Sequence, residues 1–330
     1  MKKSLHPLFS KFPAPAVPLQ GVGPLPPLSL EGVQRALIIA PHPDDETLAA
    51  GGLMESVLSQ GGQVKVVLVT NGDGQPMAPL MLKASVPPTP AAFVSVGVQR
   101  QNETLTALTR LGILSEDVIF LGYPDRGIEP LWLKHWDEAD PYLAPFTITT
   151  HSPYPNAFHP DAPHAGKTLL IDLEVILDDY RPDLIVFPSP SDEHKDHSAT
   201  GKFVCKAIEQ IQASDPSYHP RPLAYLVHCG AYPRTVGTGQ STFLPPLEMR
   251  EGFTWINLGL TPRQKQDKAE AIQDYPSQNL MLGPFLSSFA RDNEIFIEMP
   301  ARPVMVEDKK ATGRLNSSRR ADPLVIATIP

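Results

Sequence analysis

The chain has 330 residues, 42% hydrophobic and 19% charged, which is enough for one large or two ordinary globular domains with a sizeable core. A formal net charge of −8 and the lack of any basic run exclude a general nucleic-acid binder, which needs clustered Lys and Arg to displace counterions from phosphates. No apolar stretch approaches the roughly 18 residues of a membrane span, and none of the signal-peptide kind follows Lys2 and Lys3, so no membrane span and a cytoplasmic location are expected.

Proline, at 38 residues, is about twice as frequent as the roughly 5% of an average protein. Much of the excess lies in loops and in residues 1–33, where Pro7, Pro13, Pro15, Pro18, Pro24, Pro26 and Pro27 rule out a regular helix. This segment is expected to run extended over the surface as a Pro-rich N-terminal extension, either a tail or a wrapped arm. Organised structure begins near Arg35. Ala36–Ala40 is a continuous apolar run of the kind found in strands buried on both faces. A helix over 47–60 follows, stopped by Gly61-Gly62, and then a second strand over 64–70. The spacing predicts a helix over 99–111, a strand over 117–122, an irregular stretch from Tyr123 to about Lys167, and a helix over 168–180. A strand over 183–188, a helix over 196–212 and a strand over 223–228 complete the pattern. Strands alternating with helices imply an α/β, Rossmann-like doubly wound sheet, mostly parallel, with helices on both faces. The expected division is 1–33 as extension, 34–300 as the domain and 301–330 as a C-terminal extension. Cys205 and Cys229 fall in an apparent helix and at a strand end, and read as buried free thiols.

In such sheets, ligands bind outside the carboxyl ends of the strands. Two polar clusters lie there: His42-Pro43-Asp44-Asp45-Glu46 after the first strand and Asp192-Glu193-His194-Lys195-Asp196-His197 after the fourth. Zinc takes imidazole and carboxylate ligands, and a catalytic zinc uses three protein ligands with an open position for water. His42, Asp45 and His197 could supply that set. Asp44 is left over as a general base, His194 as an acid or oxyanion partner, and Asp196 as a group that orients or charge-stabilises His194. A single His-x-x-Asp after a strand is more often a turn and helix cap. Two clusters at one end of the sheet, both far richer in His and Asp than capping requires, favour the metal. A His/His/Asp set with open positions also suits Fe2+ or another divalent ion in place of Zn2+.

The sequence resembles the zinc-dependent deacetylases typified by the N-acetylglucosaminyl-phosphatidylinositol deacetylase (PIG-L) and LmbE-like proteins. The resemblance rests on Ala40-Pro41-His42-Pro43-Asp44-Asp45-Glu46 with Gly51-Gly52 behind it, on Thr70-Asn71-Gly72, on Arg100 and Glu103 ahead of Leu111-Gly112, on Leu121-Gly122-Tyr123-Pro124-Asp125, and on His194-Lys195-Asp196-His197. It covers about residues 35–285. It implies zinc bound by His42, Asp45 and His197, Asp44 as general base, and His194 assisted by Asp196 at the tetrahedral intermediate. The implied reaction removes an acyl group from an N-acetylated amino sugar or a related small-molecule amide, and Arg100 resembles a family arginine near the substrate. Lys195 departs from the family, which often has proline there.

Asn71, Asp73 and Asp125 read as turn or capping residues. His135, His151, His159 and His164 fit no ligand spacing, and Tyr123, Trp132, Trp136, Tyr154 and Phe158 could stack on a sugar or anchor the loop. Lys268, Gln278 and Asn279 lie in a segment resembling one near the family's pocket. The competing functions are a catalytically silent Rossmann-like binding module and a dinucleotide-binding protein. The second lacks a Gly-x-Gly-x-x-Gly, and the adjacent acids after the first strand would repel a pyrophosphate. A small-molecule amino sugar is the expected partner, and oligomeric state, a homo-oligomer included, stays open.

Overall fold

Ala36–Ala40 has no solvent exposure because it runs through the middle of the sheet. In the computed structural model, which describes residues 24–233 and 242–301, this run forms β1 (Arg35–Ala40). It is followed by α1 (Asp45–Ser59), β2 (Gln63–Thr70), α2 (Ala78–Lys83), α3 (Pro90–Arg110), β3 (Val118–Tyr123), α4 (Ile128–Leu133) and α5 (Gly166–Tyr180). Then come β4 (Leu184–Pro188), α6 (Lys195–Ser214), β5 (Arg221–Tyr225), β6 (Trp255–Gly259), α7 (Pro262–Gln273), α8 (Pro276–Leu286) and β7 (Asn293–Glu298). The five expected strands are all present.

The strand order is β3-β2-β1-β4-β5-β7-β6. β1 to β5 pair in parallel, with Ile38 beside both Val66 and Val186, while β7 runs antiparallel to β5 and β6. This is the expected α/β doubly wound architecture with a mixed edge. Right-handed crossovers put α1 and α3 on one face, where α7 joins them, and the reversal of strand order at β1/β4 sends α5 and α6 to the other, against α4. At that reversal the loops after β1 and β4 leave in opposite directions and open a crevice.

Several elements differ from the sequence expectation. α3 starts nine residues early, because Pro90 sits in the first turn, where its missing N–H costs nothing, and the Thr89 hydroxyl accepts from the Ala92 N–H. Two helices, α2 and α4, occupy stretches expected to be irregular. β6 and β7 were not expected at all. Of residues 1–33, those from 24 to 30 lie against the domain: the Leu28 N–H donates to Asn257 O of β6, the Asn257 N–H donates to Pro26 O, and Leu28 and Leu30 are buried. Residues 1–23 and 302–330 lie outside the described residues. Both cysteines are buried free thiols.

α1 is bent at Ala50 (φ −137, ψ 16), which frees N–H groups inside the helix. Glu294 of β7 takes two of them, from Gly52 and Leu53, at 2.8 and 2.9 Å. Buried Lys268 of α7 neutralises Glu294 at 2.7 Å. A Cβ on Gly51 would stand 3.3 Å from the Lys268 side chain, so the glycine is what lets α7 approach.

Candidate active site

The first polar cluster turns out of β1 directly into α1, and the second turns out of β4 into α6, so both reach the crevice at the strand reversal. There three atoms form a nearly equilateral triangle. His42 Nδ1 lies 3.2 Å from Asp45 Oδ2 and 3.3 Å from His197 Nε2, and the third edge, Asp45 Oδ2 to His197 Nε2, is 3.1 Å. Ligand atoms about 2.0–2.2 Å from a tetrahedral zinc stand roughly 3.3–3.5 Å apart. The donor set and spacing fit a divalent cation.

The outward nitrogens of both imidazoles meet carboxylates, the arrangement that fixes tautomer and ring orientation in metal sites. His42 Nε2 faces Asp125 Oδ1 at 3.3 Å and Asp196 Oδ2 at 3.4 Å, and His197 Nδ1 faces Asp192 Oδ2 at 3.5 Å. Asp192 is itself held by the backbone N–H groups of His194, Val227 and His228. Burial alone would lower His197, but Asp45 and Asp192 outweigh it and raise its pKa to about 9. For Asp45, burial pushes upward and the positive His197 and His42 prevail, holding it well below the usual carboxylate range.

Asp44 lines the pocket and is treated differently by its surroundings. Burial, then the neighbouring Asp45 and Glu46 carboxylates, push its pKa well up. It stands at the N-cap position of α1, yet its carboxylate makes no capping bond, and its backbone is at φ 113, ψ −34, a region that disfavours any residue but glycine. Capping therefore does not explain this acid. Its N–H donates to Glu46 Oε2, and Glu46 is gripped by the Tyr275 hydroxyl; burial lifts the Glu46 pKa to about 7.

His194 starts α6 with extended backbone, its ring 4.9 Å from that of His42 and 4.8 Å from that of His197. Burial, His42 and His197 lower its pKa to about 3. The expected pairing of Asp196 with His194 is met only through space. Asp196 accepts hydrogen bonds from the Arg126 and Ile128 N–H groups and faces His42, because its position in the first turn of α6 points it at the loop after β3. Arg100 is buried beside the pocket, donating to Gly72 O and Ser277 Oγ. Glu103 goes to Ser277 as well, so the two do not form an isolated helix pair. Lys195 points outward to Glu129 at 2.7 Å.

Four residues carry more of the site than sequence reasoning gave them. Asp125, read as a turn residue, lines the pocket and accepts from the Gly74 N–H while facing His42. Asp192 stood in the second cluster without a role. His228, three residues beyond β5, packs its ring 5.0 Å from that of His197. Gln278 reaches from α8 to Pro43 O. By contrast, Tyr123 and Tyr154 are buried anchors bonded to Asp172 and Asp73, and Trp132 and Trp136 pack on Phe203. Among the described residues, the histidine and carboxylate groups spaced for a metal all include His42, and none includes His135, His151, His159 or His164. No helix among the described residues is long and apolar enough to cross a membrane.

Fold and site together define a doubly wound α/β protein with a candidate metal centre at its strand reversal. The chain belongs to the family described as PIG-L, GlcNAc-PI de-N-acetylase, which matches residues 37–208, a little over half of it. It is similar to a 1D-myo-inositol 2-acetamido-2-deoxy-alpha-D-glucopyranoside deacetylase of Mycobacterium sp. (strain KMS), with 31% identity over 204 residues, 61% of this chain and 58% of that protein. A protein of the same description from Streptomyces avermitilis is 29% identical over 173 residues, 46% of this chain and 57% of its own. The chain thus spans less than two thirds of the length of these curated relatives. Its fold is similar to that of the N,N'-diacetylchitobiose deacetylase of Pyrococcus horikoshii, solved with an inhibitor, at TM-score 0.52 and 18% identity over 82% of this chain and 86% of that one.

Proposed function

We propose that the protein is a metal-dependent hydrolase that deacylates an N-acetylated amino sugar or a related small-molecule amide. The observation that carries this reading is the triangle of His42 Nδ1, Asp45 Oδ2 and His197 Nε2, with edges of 3.1 to 3.3 Å, in a pocket that Asp44 and His194 also line. Zn2+, or another divalent ion such as Fe2+, held there supplies a Lewis acid for the amide carbonyl and a water made nucleophilic near neutral pH.

Asp44 serves as general base. It is buried, owes no hydrogen bond to its helix, and is pushed by its surroundings toward higher proton affinity, as a base working near neutrality requires. His194, neutral near pH 7, donates an N–H hydrogen bond to the oxyanion of the tetrahedral intermediate, and the proton that Asp44 takes from the water passes to the leaving amine. Asp196 and Asp125 hold His42, and Asp192 holds His197, so that the ligand nitrogens stay aimed inward. Arg100, anchored through Nε and Nη1 to Ser277 and Gly72, offers its remaining guanidinium nitrogen to sugar hydroxyls. The products are a carboxylate, acetate for an N-acetyl substrate, and a free amine.

The test pairs metal analysis of protein purified without chelator with amine release from a panel of N-acyl sugars, for the wild type and Asp44→Ala. Bound divalent metal and amine release that Asp44→Ala abolishes are expected. A metal-free protein inactive on every amide would overturn the reading in favour of a silent binding module.

A further inference from the structure

We infer that the amino sugar taken by this site carries an apolar aglycone, an alkyl or aryl group, and that Met281, Leu282 and Phe285 of α8 form the specificity-determining surface that receives it. The inference rests on the deacylase reading above and names its substrate class.

The pocket, about 270 Å³, is at the small end for a ligand site, and its walls differ in chemistry. The catalytic side is almost wholly charged or imidazole. The apolar part of the lining is Leu48, Val227, Met281, Leu282, Phe285 and Leu286, four of them from α8. Phe285 stacks with the His228 imidazole, 5.4 Å between ring centroids and 9° between planes, which ties the apolar residues of α8 to the imidazole cluster. Leu282 is 46% exposed and carries the apolar surface outward. The Gln75 amide touches Met281 Sδ at 3.3 Å and ties to α8 the approach to α2, whose flank bears exposed Met77 and Met81.

The amide side chains on this wall are already engaged. Gln278 donates to Pro43 O with its Oε1 beside the Ser277 hydroxyl, and Gln75 accepts from the Met77 N–H and donates to Met281. A polyol aglycone pressed against α8 would leave buried hydroxyls without partners, which is costly, whereas each methylene buried there favours binding by about fourfold. The wall therefore discriminates against the inositol named for the curated relatives.

The test compares methyl, octyl and myo-inositol N-acetylglucosaminides, below the micellar concentration of the octyl compound, as substrates in amine release. In parallel, calorimetry on the same metal-loaded protein measures binding of the corresponding methyl and octyl glucosaminides. Octyl is expected to exceed methyl at least fivefold in both kcat/KM and affinity, with the inositol conjugate no better than methyl. Leu282→Asp, at a half-exposed position that tolerates the change, and Phe285→Ser should bring the octyl-to-methyl ratio toward one. Leu133→Ser, at an exposed position of α4 outside the pocket, should leave that ratio intact. A calorimetric ratio below fivefold, a preference for the inositol conjugate, or a ratio untouched in both wall variants overturns the inference. Retention of the calorimetric preference with no amine release from any glycoside would sink the deacylase reading and leave the apolar subsite standing. Amine release without preference would do the reverse.

Discussion

Replacing Asp44 with glycine should make the protein more stable while nearly abolishing its activity. The native backbone at φ 113, ψ −34 costs a residue with a Cβ about 1–3 kcal/mol, and glycine is free of that cost. Against it stands the extra chain entropy that glycine brings to the unfolded state, about 0.5–1 kcal/mol. Removing a buried carboxylate crowded by Asp45 and Glu46 adds a further gain in the same direction. The net expectation is a stabilisation of about 1–3 kcal/mol, or a melting temperature roughly 2–8 °C higher for a domain of this size. The measurement is calorimetric melting of both proteins stripped with chelator, because a bound metal adds its own stabilisation. Amine release by the metal-loaded forms should fall by about 10²–10⁴-fold, the usual contribution of a general base. Asp44→Asn separates the terms: it removes the charge, keeps the strained backbone, and should gain less. A glycine variant no more stable than wild type, with its helix content intact, would refute the reasoning that this backbone is held strained for the site.

Asp45→Ala should lower both metal content and turnover, whereas Asp44→Ala should bind metal at wild-type stoichiometry, which elemental analysis of dialysed protein will distinguish. Lys268→Met leaves Glu294 buried and unneutralised and should cost about 3–5 kcal/mol in denaturant melts, with Lys268→Met/Glu294→Gln recovering much of the loss. Asp73 is raised to about 6 by burial, partly offset by the Tyr154 hydroxyl. The native state therefore holds this proton over a range where the unfolded chain has released it, and stability falls as pH rises from about 4 to 6. Asp73→Asn should match wild type near pH 4 and exceed it by a few kcal/mol at pH 7; equal stability of the two at pH 7 would contradict this.

The parallel half of the sheet was legible because its strands are short and largely apolar, as in Leu37-Ile38-Ile39, and alternate with helices, two of which stop at Gly61 and Gly112. β7 was not, because Asn293 and Glu294 open it with buried polar side chains whose partners, Asn257, Gly52, Leu53 and Lys268, are far away in sequence. α3 was read short because a proline-rich run looks like a loop until Pro90 is placed at its first turn. In the site, the two clusters pointed to the triangle, since His42, Asp45 and His197 follow strands one and four. Which carboxylate serves which imidazole could not be read. Asp196 lies two residues from His194 yet turns to His42, and Asp192, five residues before His197, is the acid that reaches its ring.

Tyr275 holds Glu46, Gln278 holds Pro43, and α8 supplies the apolar side of the pocket, yet all of these lie beyond residue 208, where the family match ends. The proposed reacting groups are thus encoded in the first part of the chain and much of the shape of the cavity in the last. Mutation can reshape 276–286 while leaving His42, Asp44, Asp45 and His197 untouched. A graft of residues 262–298 from a relative should, on this view, transplant substrate preference into the existing chemistry, provided that it carries equivalents of Lys268, Tyr275, Gln278 and Glu294 to grip the grafted segment to α1.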